Sequence, residues 1–220
     1  MESDNTVTPP SSSMTKRLLI YGGMALAYHV MVRPQLQTWG TQSDEASRAM
    51  EGDDIIQYPH STTTYAINID APPKLVWWWI SQFGRYGLHF YNLTHLSSHE
   101  HVYYDIPPMQ KGDVMSNSLQ TLRIDPQKSV VFGGFRLPNE LGGEYDVTLS
   151  YTLENKISKI TRVIMRSRSY SYGVRGAIYN LVREPVFFGQ AMMQLNTLRR
   201  LSEETKDVKT RVNGRHPEVV

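Results

Sequence analysis

Hydrophobic and polar positions alternate in three places along the chain. Thr62–Asp70 puts Tyr65, Ile67 and Ile69 on one side and Thr64, Ala66 and Asn68 on the other, the signature of a half-buried strand. Glu144–Leu153 alternates most clearly: Tyr145, Val147, Leu149, Tyr151 and Leu153 oppose Glu144, Asp146, Thr148, Ser150 and Thr152. Asn155-Lys156 turns the chain into Lys159–Tyr170. There Thr161, Val163, Met165, Ser167 and Ser169 oppose Arg162, Ile164, Arg166 and Arg168. Arginine favours water, so the Val163/Met165 face is expected inward and the arginine face outward. Leu119–Ile124 and Ser129–Phe135 are shorter strands split by Asp125-Pro126-Gln127, and Gly133-Gly134, Pro138-Asn139 and Gly142-Gly143 mark turns.

Three stretches change period from two to three or four. After Asp70, expected as an N-cap, Pro72 and Pro73 suit a first helical turn. Val76, Trp79, Ile80 and Phe83 then recur on one face, and Gly84 ends the helix. A second short helical stretch is expected at about Leu88–Ser97, with Leu88, Tyr91 and His95. The last element is a long helix from about Glu184 to Glu203, with Pro185 at its start. Phe187, Phe188, Ala191, Met192, Leu195, Leu198 and Leu201 fill about half of its wheel. Strand, two helices, several antiparallel strands and a long helix make an α+β layout, a curved antiparallel sheet wrapped around the C-terminal helix.

The N-terminus differs. Residues 1–17 are polar, Ser/Thr/Pro-rich and expected to be disordered. Leu18–Val32 carries no Asp, Glu, Lys or Arg and lies between Lys16-Arg17 and Arg33-Pro34. Three readings stay open for residues 18–34. One is a membrane-associated helix, short of the roughly 20 apolar residues a bilayer crossing needs. Another is a signal-like segment with Ala25-Leu26-Ala27 as a small-x-small site. The third is an amphipathic helix packed on the domain. Residues 35–60 are polar and mixed, a lead-in that wraps the domain, and residues 205–220 read as a flexible tail.

Composition narrows the chemistry. The 220 residues suit one domain with tails, and 40% hydrophobic with 20% charged residues is ordinary for a globular core. A net charge of +2 gives no reason to expect a nucleic-acid partner. With no cysteine there are no disulfides, thiolate metal sites or thiol nucleophiles.

The ordered motifs resemble the SRPBCC superfamily of START-like, Bet v 1-like and polyketide-cyclase-like proteins, nearest to members with an N-terminal apolar helix. The resemblance runs from about Arg33 to Glu203. It is carried by Arg33-Pro34, Trp39-Gly40-Thr41, Glu45 and Gly52-Asp53, then Ile69-Asp70-Ala71-Pro72-Pro73 with Val76-Trp77, Trp79-Ile80, Gln82 and Gly84. Lys111-Gly112-Asp113, Arg166-Ser167-Arg168, Glu184-Pro185, Met192 and Leu198 complete it. Membership implies a helix-grip domain over residues 61–204 and a cavity between the sheet and the final helix. Such a cavity suits lipids, sterols or polyketides. The chain departs from the group at Phe90-Tyr91-Asn92-Leu93-Thr94, where Thr94 replaces an acidic residue, and His101 and Tyr104 only echo its His-Pro-x-Trp word.

Few residues offer catalysis. His89, His95, His99 and His101 cluster near Glu100 and Asp105, but they match no established metal motif, so neither metal nor cofactor is expected. One of the histidines could act as an acid or base at a cavity mouth. Asn92-Leu93-Thr94 is a glycosylation sequon, relevant only to a lumenal protein. Pocket positions expected from the inward faces are Trp78, Phe83, Tyr91, Tyr145, Leu149, Tyr151, Val163, Met165, Phe188 and Met192. The leading expectation is a binder of a hydrophobic small molecule, membrane-associated through Leu18–Val32. A cyclase- or dehydratase-like enzyme on an apolar carbonyl substrate and a cavity-less interaction module are the alternatives.

Overall fold

A computed structural model describes residues 12–82, 107–115, 119–157 and 159–213. Phe83, Tyr91, the four clustered histidines, Thr94 and the sequon lie outside the described residues. The chain divides into two units, Met1–Leu36 and Gln37–Val220.

The first unit is one helical path: α1 (Ser12–Ala27), a π-helical turn (Tyr28–Val32) and the start of α2 (Arg33–Gln37). The helix begins before Leu18, and Arg33-Pro34 does not end it, because proline is tolerated in a first helical turn. Arg33 and His29, one turn apart, are hydrogen-bonded at 3.2 Å. No helix among the described residues is long and apolar enough to cross a membrane, so a spanning segment is not supported.

The second unit is α+β, with the helix-grip arrangement. Its elements are β1 (Ser61–Ile69), α3 (Pro73–Ile80), β2 (Gln120–Asp125), β3 (Ser129–Pro138), β4 (Glu144–Ile157), β5 (Ile160–Ser171) and α4 (Gly173–Asn213). The strands form one antiparallel sheet in the order β1-β5-β4-β3-β2, so the first strand pairs with the last. Tyr65 faces Met165 across that pair, and Tyr151 faces Met165 across the next, so their side chains share the inner face. Val130, Phe132, Leu153 and Val163 join them in a core closed by α3 (Leu75, Val76, Trp79, Ile80) and α4 (Phe187, Ala191, Leu195, Leu198, Leu201).

Two expected helix starts are wrong. Asp70 does not cap α3: the N-cap is Pro72, with no side-chain cap bond. Pro73 supplies a pre-set φ at the first turn, and Asp70 is two residues too far upstream. Its carboxylate instead accepts from Lys206 Nζ at 2.6 Å, and its N–H donates to Glu203 at 3.0 Å. α4 begins at Gly173, not near Glu184, and holds Pro185 inside. Proline removes one N–H donor but does not stop a helix whose neighbouring turns are packed. The same helix runs on to Asn213, so residues 205–213 are helical rather than a flexible tail. There Thr205 accepts a bond from Trp79 Nε1 at 3.3 Å.

The arginines of β5 point outward as expected, but two of them do not meet water. Arg162 and Arg166 are on the outer face, yet their side chains are only 3% exposed. Residues 37–60 cover them. Arg166 donates to Thr64 Oγ1 (3.0 Å), to Asp53 Oδ2 (2.6 Å) and to the carbonyls of Arg48 (2.8 Å), Glu45 (2.8 Å) and Ala46 (3.0 Å). Arg162 holds both oxygens of Glu45, at 2.9 and 2.5 Å, and the Gly40 carbonyl at 2.6 Å. Arg168 reaches the carbonyls of Ile56 and Gln57 and pairs with Asp53 at 3.3 Å. A guanidinium can leave water when five donors find acceptors, and an irregular segment has carbonyls to offer. Burial pushes the Glu45 carboxyl up. Hydrogen bonds from Arg162 and the Gln42 N–H outweigh that and hold it below its ordinary value.

The wrap depends on two glycines. Trp39 accepts a bond from the Ala66 N–H (3.1 Å), which covers part of the free edge of β1. Gly40, at φ +71°, follows so closely that a Cβ there would collide with the Ala66 carbonyl. Gly52, at φ +92°, lies against Val131, whose Cγ1 would be 2.7 Å from an added Cβ.

Candidate functional site

The inner face is not filled along its whole length. Under the N-terminal half of α4 there is a cleft of about 530 Å³. Its floor is β3 (Leu137), β4 (Tyr145, Val147, Leu149) and β5 (Ser167), with Leu119 beside them. Its roof is one stripe of α4: Tyr179, Arg183, Val186, Phe187 and Gln190. Those positions recur at three, four and seven residues, so the helical period alone places them together.

A bulge shapes the floor. The β3–β4 register shifts between Gly134 and Leu137. Arg136 takes φ +52° there, held by its N–H bond to Asp146 Oδ1 (2.8 Å). Its guanidinium binds Glu144 at 3.0 Å and lies 3.7 Å over the Tyr172 ring. Bulges re-aim side chains, and this one delivers Leu137 to the cleft.

One end of the cleft is polar. Ser167, Arg183 and Phe187 also line a small adjoining void of about 10 Å³, with Ser61, Ser169, Asn180 and Glu184. That is room for about one water-sized group. Glu184 accepts from Ser61 Oγ (2.5 Å) and Gln37 Nε2 (3.2 Å), and Ser169 Oγ donates to Asn180 Oδ1 (3.5 Å). The Arg183 guanidinium carbon is 5.1 Å from the Tyr145 ring centre and 5.3 Å from that of Phe187. Burial pushes the Tyr179 hydroxyl up to about 12, with the neighbouring Tyr145 adding to the shift. At neutral pH Tyr179 is therefore a hydrogen-bond donor and not a base.

The expected pocket residues separate into groups. Tyr145 and Leu149 line the cleft. Tyr151, Val163 and Met165 are packed in the core, with Tyr151 edge-on to Phe132 at 6.3 Å. Trp78, Phe188 and Met192 are partly buried against that core: Trp78 meets Trp79 at 4.9 Å, and Phe188 meets Tyr65 at 5.8 Å. Phe83 and Tyr91 lie outside the described residues. Tyr179 and Arg183 fall before Glu184, where the helix is expected to begin, and Val186 falls inside that helix but outside its expected apolar set. The missed signal was the spacing of Tyr179 and Arg183 to Phe187, which continues the apolar stripe backwards by two turns. Among the described residues no group of His, Asp and Glu could hold a metal ion.

No protein-family model matches the chain, and neither does any curated protein. Solved structures do show likeness. A structural-genomics protein from Mesorhizobium loti is 16% identical over 67% of this chain and 97% of its own, with a TM-score of 0.39. DynU16, from the dynemicin biosynthetic locus, is 16% identical over 64% of this chain and 47% of its own, with a TM-score of 0.42. The Aha1 dimer from Colwellia psychrerythraea gives 15% identity over 66% of this chain and 97% of its own, at 0.36. The fold assignment rests on this chain's own strand order and helix placement.

Proposed function

We propose that this protein binds an apolar small molecule, lipid-, sterol- or polyketide-like, in the cleft between α4 and the inner face of the sheet. The observation that carries this reading is the cleft itself. Its volume, about 530 Å³, falls within the roughly 300–1,000 Å³ typical of small-molecule sites. Its walls are mostly Leu, Val and aromatic side chains, with Ser167 and Arg183 shared with the polar void and Glu140 and Gln190 as the other polar lining residues. The motif resemblance to the SRPBCC superfamily supports the same reading. Native mass spectrometry of gently purified protein tests it. An apolar adduct, co-purified or acquired from added lipid, is expected. Its repeated absence overturns the reading.

The N-terminal unit supports a second element, contact with a lipid surface. Leu19, Ile20 and Tyr21 are consecutive, so at 100° per residue they point to different sides of the axis. A lone helical path has nothing in its own unit to bury them against. Lys16, Arg17 and Arg33 bracket the apolar run and suit lipid headgroups. Full-length protein is expected to sediment with anionic vesicles, and a Leu19→Gln/Ile20→Gln/Met24→Gln variant is expected to stay in solution. Equal sedimentation of the two contradicts this element.

A further inference from the structure

We infer that the ligand of the cleft is amphipathic and carries a carboxylate head, which Arg183 binds with Asn180 as a second donor. The inference rests on the cleft being a ligand site. Arg183 lies half-buried at the polar end of the cleft, its charge near two aromatic rings. No carboxylate among the described residues makes an ion pair with it. The three arginines of β5 differ: Arg162 has Glu45, and Arg166 and Arg168 share Asp53. One turn before Arg183 on the same face of α4, Asn180 is 9% exposed. Its Nδ2 has no hydrogen-bond partner among the described residues.

These two side chains fix the chemistry of the head. Arginine has donors only. The Asn180 carbonyl oxygen is already taken by Ser169, which leaves the Nδ2 donor. The head must therefore be an acceptor, and the flat guanidinium fork matches a carboxylate through two parallel bonds. The void beside Asn180, about 10 Å³, has room for about one oxygen-sized group. Glu184 lines the same void but makes no ion pair with Arg183, and its Oε1 accepts from Ser61 and Gln37. Glu140 also lines the cleft, but it is exposed and its carboxylate is engaged by the Tyr179 hydroxyl rather than by Arg183. Behind the head, Leu137, Val147, Leu149, Val186 and Phe187 offer an apolar run for a hydrocarbon tail.

Calorimetric titration of the full chain with decanoate, decanol and decylamine tests this directly, since the three share a tail and differ in the head. Decanoate is expected to bind about ten-fold or more tighter than decanol, the scale of one charge-assisted bond, and decylamine weakest. Arg183→Met, which keeps the packing of the stem, is expected to abolish the preference for decanoate over decanol. Asn180→Leu is expected to reduce the preference in part. Equal affinities in the wild type, or a preference that survives Arg183→Met, overturn the carboxylate assignment and leave the apolar site standing. If none of the three ligands binds, the cleft reading falls and this inference falls with it.

Discussion

Arg166 and Arg183 lie on opposite faces of one sheet and meet opposite conditions. On the outer face, Arg166 places its donors on five acceptors, four of them from residues 45–53, and is closed off from water. Over the inner face, Arg183 borders a cleft with aromatic rings nearby and no acidic partner among the described residues. A buried arginine whose donors are all bonded is a structural clamp. Arg183, half-buried at the end of the cleft, is the group proposed to recognise a ligand. The difference lies in their surroundings, since residue type and helix or strand periodicity do not separate the two.

The comparison breaks most visibly in stability. Arg166→Met strands Asp53 and a row of carbonyls, and is expected to lose roughly 3–5 kcal/mol in urea denaturation. Arg183→Met should change stability by less than about 1 kcal/mol, the scale of an exposed cation–π contact. Similar losses at the two sites would remove the distinction. Within the inner face, Leu195→Ala leaves a hole where the residue is wholly buried and is expected to cost roughly 2–5 kcal/mol. Leu149→Ala, on the wall of an existing cleft, should cost clearly less in the same measurement. On the outer face, Gly40→Ala meets both a left-handed backbone and the Ala66 carbonyl. A loss of roughly 1–3 kcal/mol is expected, with β1-edge amides exchanging faster in hydrogen-exchange experiments.

The smallest effect is in pH. The Glu45 carboxyl is held below its ordinary value in the fold, so folding favours its ionised form. Its contribution is fully present above the unfolded value of 4.5 and is lost as pH falls below that through the folded value. A Glu45→Gln variant should therefore show a flatter decline in stability on acidification than the wild type. Parallel curves would show that Glu45 titrates alike in both states.

Much of this was legible in the chain. The alternation from Tyr145 to Leu153 predicts β4, its inward face and two cleft residues, because a strand with one wet and one dry face writes its pattern directly. The outer face was not legible. Its cover, residues 37–60, has no helix or strand period and binds β5 largely through backbone carbonyls, which no sequence pattern displays. Reading Arg162 and Arg166 as water-facing followed from treating each strand without its cover. The roof of the cleft was half legible: Phe187 fell inside the expected helix, while Tyr179 and Arg183 fell before Pro185. A proline that usually starts a helix sits here inside one of 41 residues. Phe83 and Tyr91 lie outside the described residues, so their placement adds nothing on either side.

The central claim is that the cleft under α4, and not the apolar N-terminal helix, holds the ligand. Titration of isotope-labelled full-length protein with decanoate, followed by methyl NMR, tests it most directly. The account predicts saturable shifts at Leu137, Val147, Leu149 and Val186, with Leu19, Ile20 and Val30 unmoved at the same concentrations. Shifts confined to Leu19, Ile20 and Val30, or no saturable shift at the cleft, would contradict it.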